Sequence, residues 1–131
     1  MMDETLELTL APDPTAPSTA RSAITRRFSA SLTGRALDDA RLLVTELISN
    51  SLRHAAMRNG DRVSLRASVT DGLVRFEVGD PGRNGPVRMR EPGAQEGGYG
   101  LLLVQRLSRR WGVERDGETV VWFEMAARSA R

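Results

Sequence analysis

Val63-Ser-Leu-Arg-Ala-Ser-Val-Thr-Asp71-Gly72-Leu-Val-Arg-Phe-Glu-Val78 is the stretch on which the fold turns. Val63, Leu65, Ala67 and Val69 alternate with Arg62, Ser64, Arg66 and Ser68, and Val74, Phe76 and Val78 resume the same period after Asp71-Gly72. A period of two is that of a strand with one face in the core and one in water, and Asp-Gly suits the positive φ angles of a tight hairpin. The stretch predicts an antiparallel hairpin, and its apolar face requires a cover.

The cover lies upstream. Ala20, Ala23, Ile24 and Phe28 recur at helical spacing between about Pro17 and Leu32, with Gly34 as the stop, and a second helical pattern runs from about Leu37 to Met57. Asp38 and Asp39 near its start and Arg53, His54 and Arg58 near its end suit the helix dipole, and Asn59-Gly60 is a stop signal. Before both, Leu6, Leu8 and Leu10 alternate with Thr5, Glu7 and Thr9 as a strand that Pro12-Asp-Pro14 ends. After the hairpin, a Gly- and Pro-rich loop from Pro81 to Gly97 leads to a short helix over about Leu101 to Arg110. Trp111 to Arg115 then pairs with Glu118 to Met125 across Asp116-Gly117. This order predicts an α+β two-layer sandwich with helices on one face of a mostly antiparallel, mixed sheet. No repeat or linker divides the chain, so the reading is one domain over residues 1–131 with ragged ends at about 1–4 and 127–131.

A chain of 131 residues is long enough for one self-sufficient core. All 19 basic residues are Arg, and they are scattered among 17 acidic ones for a net charge of +2. The sequence pI of 10.3 therefore overstates the basicity, and no cluster marks a nucleic-acid surface. The absence of cysteine removes disulfides and thiolate metal sites. No apolar run approaches the roughly 20 residues of a membrane span. The Met1-Met-Asp-Glu start has neither a basic nor an apolar signal region, so the cytoplasm is the expected location.

Chemistry concentrates in three segments. The first, Glu46-Leu-Ile-Ser-Asn50-Ser-Leu-Arg-His54-Ala, lies in the second helix. Glu46 and Asn50 are separated by roughly 40° around the axis, and His54 follows one turn later on the same face. Leu43 and Leu47 flank the stripe, so the polar pair borders the core, where a polar group needs a partner or a ligand. Taken alone, a solvated helix face explains the same residues. The second segment, Asp80-Pro-Gly82-Arg-Asn84-Gly85, follows the hairpin, and the period of two turns Asp80 toward the covered layer. A carboxylate there needs a donor; an Asp-Pro-Gly turn capped by Asp80 is the alternative. Gly82 lets a backbone approach a flat ligand closely. The third, Gly98-Tyr99-Gly100-Leu101, opens the last helix, where free N–H groups and the dipole favour phosphate, although glycine hinges also suit an ordinary loop. Arg83, Arg88 and Arg90 in the intervening loop suit either phosphate oxygens or water. Thr119 shares a strand face with Val121, Phe123 and Met125 and is expected to point inward.

In order and spacing these segments resemble the N, G1 and G2 boxes of the GHKL (histidine-kinase-like) ATPase superfamily, which includes gyrase-type ATPases, histidine kinases and the serine kinases that act as anti-sigma factors. The Asn50-Ser-Leu-Arg-His54-Ala continuation and the closing Gly117-Glu-Thr119-Val-Val-Trp-Phe look most like the anti-sigma factor group and its stand-alone ATP-binding relatives, and the resemblance covers nearly the whole chain. It implies the same sandwich fold, with ATP and Mg2+ as cofactors. It implies that Asp80 accepts a hydrogen bond from the adenine amino group, that Gly82 lies against the base and that Thr119 lies beneath it. Gly98, Tyr99, Gly100 and Leu101 would seat the phosphates, His54 would orient them or the base, Asn50 would hold magnesium and Glu46 would be the general base. The activity implied is that of an anti-sigma factor with serine/threonine protein kinase activity. Its partners would be a sigma factor and a STAS-type anti-sigma antagonist, with no direct nucleic acid and no membrane. Asn84 stands where the family has the second G1-box glycine, which favours an alternative: a catalytically weak, nucleotide-dependent protein-binding module of the same fold. A homodimer is also expected to be feasible, with an apolar face on the Ala20 to Phe28 helix as its contact.

Overall fold

The computed structural model describes residues 4–32, 34–54, 57–82 and 100–127. The elements follow as β1 (Thr5–Leu10), α1 (Ala16–Phe28), α2 (Gly34–His54), β2 (Val63–Thr70), β3 (Leu73–Asp80), α3 (Gly100–Leu107), β4 (Arg110–Arg115) and β5 (Thr119–Ala126). The strands form one sheet in the order β1-β2-β3-β5-β4. Every neighbouring pair is antiparallel, so the parallel component expected of a mixed sheet is not found among the described residues. Its nearest equivalent is the crossover through α3, which leaves β3 and β4 pointing the same way with β5 inserted between them. The architecture is the expected α+β two-layer sandwich.

The hairpin closes as its sequence requires. Asp71 has φ +52° and Gly72 φ +76°, the paired positive values of a two-residue turn that follows the right-handed twist of its strands. Register then places Leu65 opposite Val78 and Ala67 opposite Phe76, so the inward residues of both strands meet on one face. Phe76 is at the centre of that face. Its ring meets Phe28 of α1 edge-on at 5.7 Å and stacks on Phe123 of β5 at 5.0 Å. Each aromatic contact contributes roughly 0.5–1.5 kcal/mol beyond simple burial.

The helices differ from expectation at their ends. α1 stops at Phe28, because Ser31 and Leu32 both return their N–H groups to the Phe28 carbonyl and Leu32 folds back into the core. At its start Pro17 occupies the first turn, while Asp13 accepts hydrogen bonds from both the N–H and the hydroxyl of Thr15, which hold its carboxyl below the ordinary carboxylate range. Gly34, expected as a stop, is instead the first residue of α2, at φ +52°. Asp38 and Asp39 consequently lie beyond the first turn of α2. Arg58 lies past its end. Ala20, Ile24 and Phe28 are completely buried against the sheet and α2, which overturns the expectation that this face is open for a dimer contact.

The sheet face opposite the helices is covered by charge. Arg66 pairs with Glu77 at 3.2 Å, Arg75 with Glu77 at 2.9 Å and with Glu124 at 3.4 Å, and Arg110 with Glu124 at 2.6 Å. The Arg75 guanidinium also lies 4.1 Å above the Trp122 ring, whose other neighbour is Gly112; a Cβ there would come within 2.8 Å of the indole. Alternating signs across four strands let this face meet water without an apolar patch.

Candidate functional site

β3 ends at Asp80, and the parity that buries Val74, Phe76 and Val78 turns its carboxylate toward α2. There Ser51 donates its hydroxyl proton to Asp80 Oδ2 at 2.6 Å, while the Gly82 N–H donates to Oδ1 at 2.8 Å. The core-facing acceptor and the turn cap, alternatives in the sequence, are thus both realised, one on each oxygen. An ionised carboxylate has about four acceptor positions, so capacity remains for a ligand.

Opposite Asp80 in the β3–β5 register is Thr119, buried at 4% exposure. Gly82, at φ +71°, presses directly on it. A Cβ at Gly82 would run into the Thr119 hydroxyl, with the Thr119 nitrogen at 3.1 Å. Only glycine meets both constraints, since positive φ and the missing Cβ are needed together. Arg115 of β4 donates to the Gly82 carbonyl at 3.2 Å, which ties the start of the loop to the sheet edge.

The second wall is α2. Leu43 and Leu47 are buried and Glu46 and Asn50 are half-buried beside them, so the polar pair borders the core as its spacing required. Asn50 Oδ1 accepts a hydrogen bond from Arg53 at 2.9 Å. Because Ser51 follows Asn50 directly, its bond to Asp80 brings this end of α2 against the end of β3. Glu46 lies one and a half turns back, roughly 7 Å along the axis.

His54 closes α2, but its side chain lies outside the described residues, as do Gly98, Tyr99, Arg83, Asn84, Gly85, Arg88 and Arg90. Gly100 is the first residue of α3, so its backbone stands at the dipole end expected of a phosphate seat. The Leu101 side chain is 5% exposed within the core, which leaves its N–H as the only group it can offer a ligand.

The donor set fits the expected groups. Asp80, Thr119 and Gly82 bring an acceptor, a hydroxyl and a bare stretch of backbone into one corner, and the lone pairs left on Asp80 suit a ligand carrying an amino group. Among the described residues no three acidic or histidine side chains converge on a metal position. Magnesium keeps several waters and leans on phosphate oxygens, so the single carboxamide oxygen of Asn50 suits it.

Ser51 and Arg115 were not singled out by the sequence reading. Ser51 had a legible signal: Ala40, Leu43, Val44, Leu47 and Ile48 form one buried row, and Ser51 is the polar residue that continues it. Arg115 had none, because its contact depends on where the loop after β3 passes.

A sequence model of the family described as the histidine kinase-like ATPase domain matches residues 10–125. The match takes in Glu46, Asn50, Asp80, Gly82, Gly98 to Leu101 and Thr119. No curated protein matches the chain.

Proposed function

Because the chain belongs to the histidine kinase-like ATPase domain family, we propose that it is an ATP-binding anti-sigma factor with serine/threonine kinase activity toward a STAS-type antagonist. The observation that carries the reading is the Asp80 carboxylate, held by Ser51 and Gly82 across from Thr119 and beside the end of α2 that bears Asn50. An acceptor fixed in that position complements the amino group of adenine. Thr119 would lie beneath the base, and Gly82 would let it approach.

Asn50 would hold magnesium, which neutralises charge on the β- and γ-phosphates when bound. Glu46 would take the proton from the partner's serine hydroxyl as that oxygen forms its bond to the γ-phosphorus, and the bond from γ-phosphorus to the β,γ-bridging oxygen breaks to release ADP. The residues after Asn50, Ser-Leu-Arg-His-Ala, and the Gly117 to Phe123 segment support assignment to the anti-sigma group. A sigma factor as the alternate partner and a cytoplasmic location belong to the same proposal. No helix among the described residues is long and apolar enough to cross a membrane.

One contact favours a second reading. The Asn50 oxygen that magnesium would need already accepts from Arg53 at 2.9 Å, which sets a guanidinium cation beside the metal position and weakens metal binding there, as a nucleotide-gated binding module with weak catalysis would tolerate. Incubation with γ-labelled ATP, magnesium and a STAS-domain protein separates the two. The kinase reading expects label on a serine of the STAS protein; binding of ATP without transfer to any partner overturns it in favour of the binding module.

A further inference from the structure

We propose that Ser51 is a positioning residue that sets the purine selectivity of the site through Asp80, an inference that rests on the adenine-site reading above. Ser51 is 7% exposed and lies in a row of otherwise apolar buried positions, where a hydroxyl must find a partner. Its partner is Asp80 Oδ2 at 2.6 Å, a length expected of a hydroxyl donating to a carboxylate. A serine hydroxyl has one proton, and this one is committed. What remains at Ser51 Oγ and at Asp80 is lone pairs, so these two groups offer acceptors only.

That polarity decides between purines. A 6-amino group donates and is matched; a 6-oxo group accepts and meets like with like. The selectivity depends on the carboxylate keeping its orientation, and two hydrogen bonds from separate elements hold it: Ser51 from α2 and the Gly82 N–H from the loop. Turning the carboxylate about its Cβ–Cγ bond breaks at least one of them. Without the Ser51 hydroxyl, Oδ2 is free to swing, and a water able to donate to a 6-oxo group can take the vacated place. The same bond ties adenine recognition to α2, one residue from Asn50.

The test is a double-mutant cycle on Ser51→Ala and Asp80→Asn, read by calorimetric titration with ATP and with GTP and by thermal melts. Ser51→Ala should melt cooperatively and lose roughly tenfold in ATP-over-GTP preference, while the same change in the Asp80→Asn background should alter that preference less than about twofold. A merely structural serine would lower the melting temperature and leave the ratio alone. Ser51→Cys, which keeps a similar volume and weakens the donor, reads the same quantity independently should the alanine variant fold poorly, and a smaller loss in the same direction is expected. A preference retained in full by folded Ser51→Ala or Ser51→Cys, or an equal loss in the Asp80→Asn background, overturns the assignment while leaving the adenine site intact. A wild-type protein that does not distinguish ATP from GTP overturns both.

Discussion

Asp80 and Thr119 face each other across the β3–β5 register, one at the end of its strand and the other at the start, and Gly82 folds back onto the pair. The sheet therefore positions an acceptor, a hydroxyl and a bare stretch of backbone within one corner. Asp80→Asn replaces one acceptor oxygen with a donor and mispairs either Ser51 or the Gly82 N–H, whichever way the amide turns, and leaves one oxygen fewer for the adenine amino group. ATP affinity should fall by about 2–4 kcal/mol, the cost of losing a specific buried hydrogen bond and leaving a polar group unmatched. Calorimetry checks this, and an unchanged affinity would remove adenine from the site.

Gly82→Ala should lower stability and ATP affinity together. The φ of +71° costs an L-residue roughly 1–2 kcal/mol, and the new methyl meets the Thr119 hydroxyl besides. Adding Thr119→Ala removes the collision with the hydroxyl and leaves the dihedral strain and the tight approach to the nitrogen at 3.1 Å and the Cβ at 3.2 Å, so the double variant should recover part of the lost melting temperature. Full recovery would mean that neither the backbone strain nor those remaining contacts contribute.

Much of this fold was legible because its signals are local. The hairpin follows from alternation and Asp71-Gly72, and β1 has the bounds that Leu6, Leu8 and Leu10 gave it. Helix ends were less legible. Gly34 at positive φ suits a terminus of either sense, and only the packing of Leu32 into the core shows that it opens α2 instead of closing α1. In the site, Glu46, Asn50, Asp80 and Thr119 were readable from period and parity. The two bonds that orient Asp80 were not, since Ser51 is 29 positions away and its reach depends on how α2 crosses the end of β3.

Glu124→Ala should destabilise the protein without touching nucleotide binding. Its carboxylate is 8% exposed and takes both Arg75 and Arg110 on the sheet face away from the helices, so truncation leaves Arg75 with Glu77 and removes the carboxylate that joins the two arginines. The loss should be about 1–3 kcal/mol, less than for a fully buried pair because Arg110 remains largely in water. Denaturant melts and ATP titration on one sample check both halves; weakened ATP binding would show that the outer face communicates with the site.

Glu46 and Asn50 share a helix face, yet their replacement should produce different signatures. A general base need not contact ATP in the ground state, whereas a metal ligand must act before the phosphates are positioned. Glu46→Gln keeps shape and loses basicity; ATP affinity should stay within a few-fold while phosphoryl transfer falls by roughly 10² to 10⁴. Asn50→Ala should reduce magnesium-dependent affinity and turnover together, and it also releases Arg53 from its 2.9 Å hydrogen bond to Asn50 Oδ1. Binding measured without magnesium does not use the carboxamide oxygen as a metal ligand, so it should be retained. Paired titrations with and without the metal, alongside transfer to a STAS-domain partner, separate the two roles. Equal loss of metal-free binding in both variants would show that the stripe serves the helix and not the nucleotide.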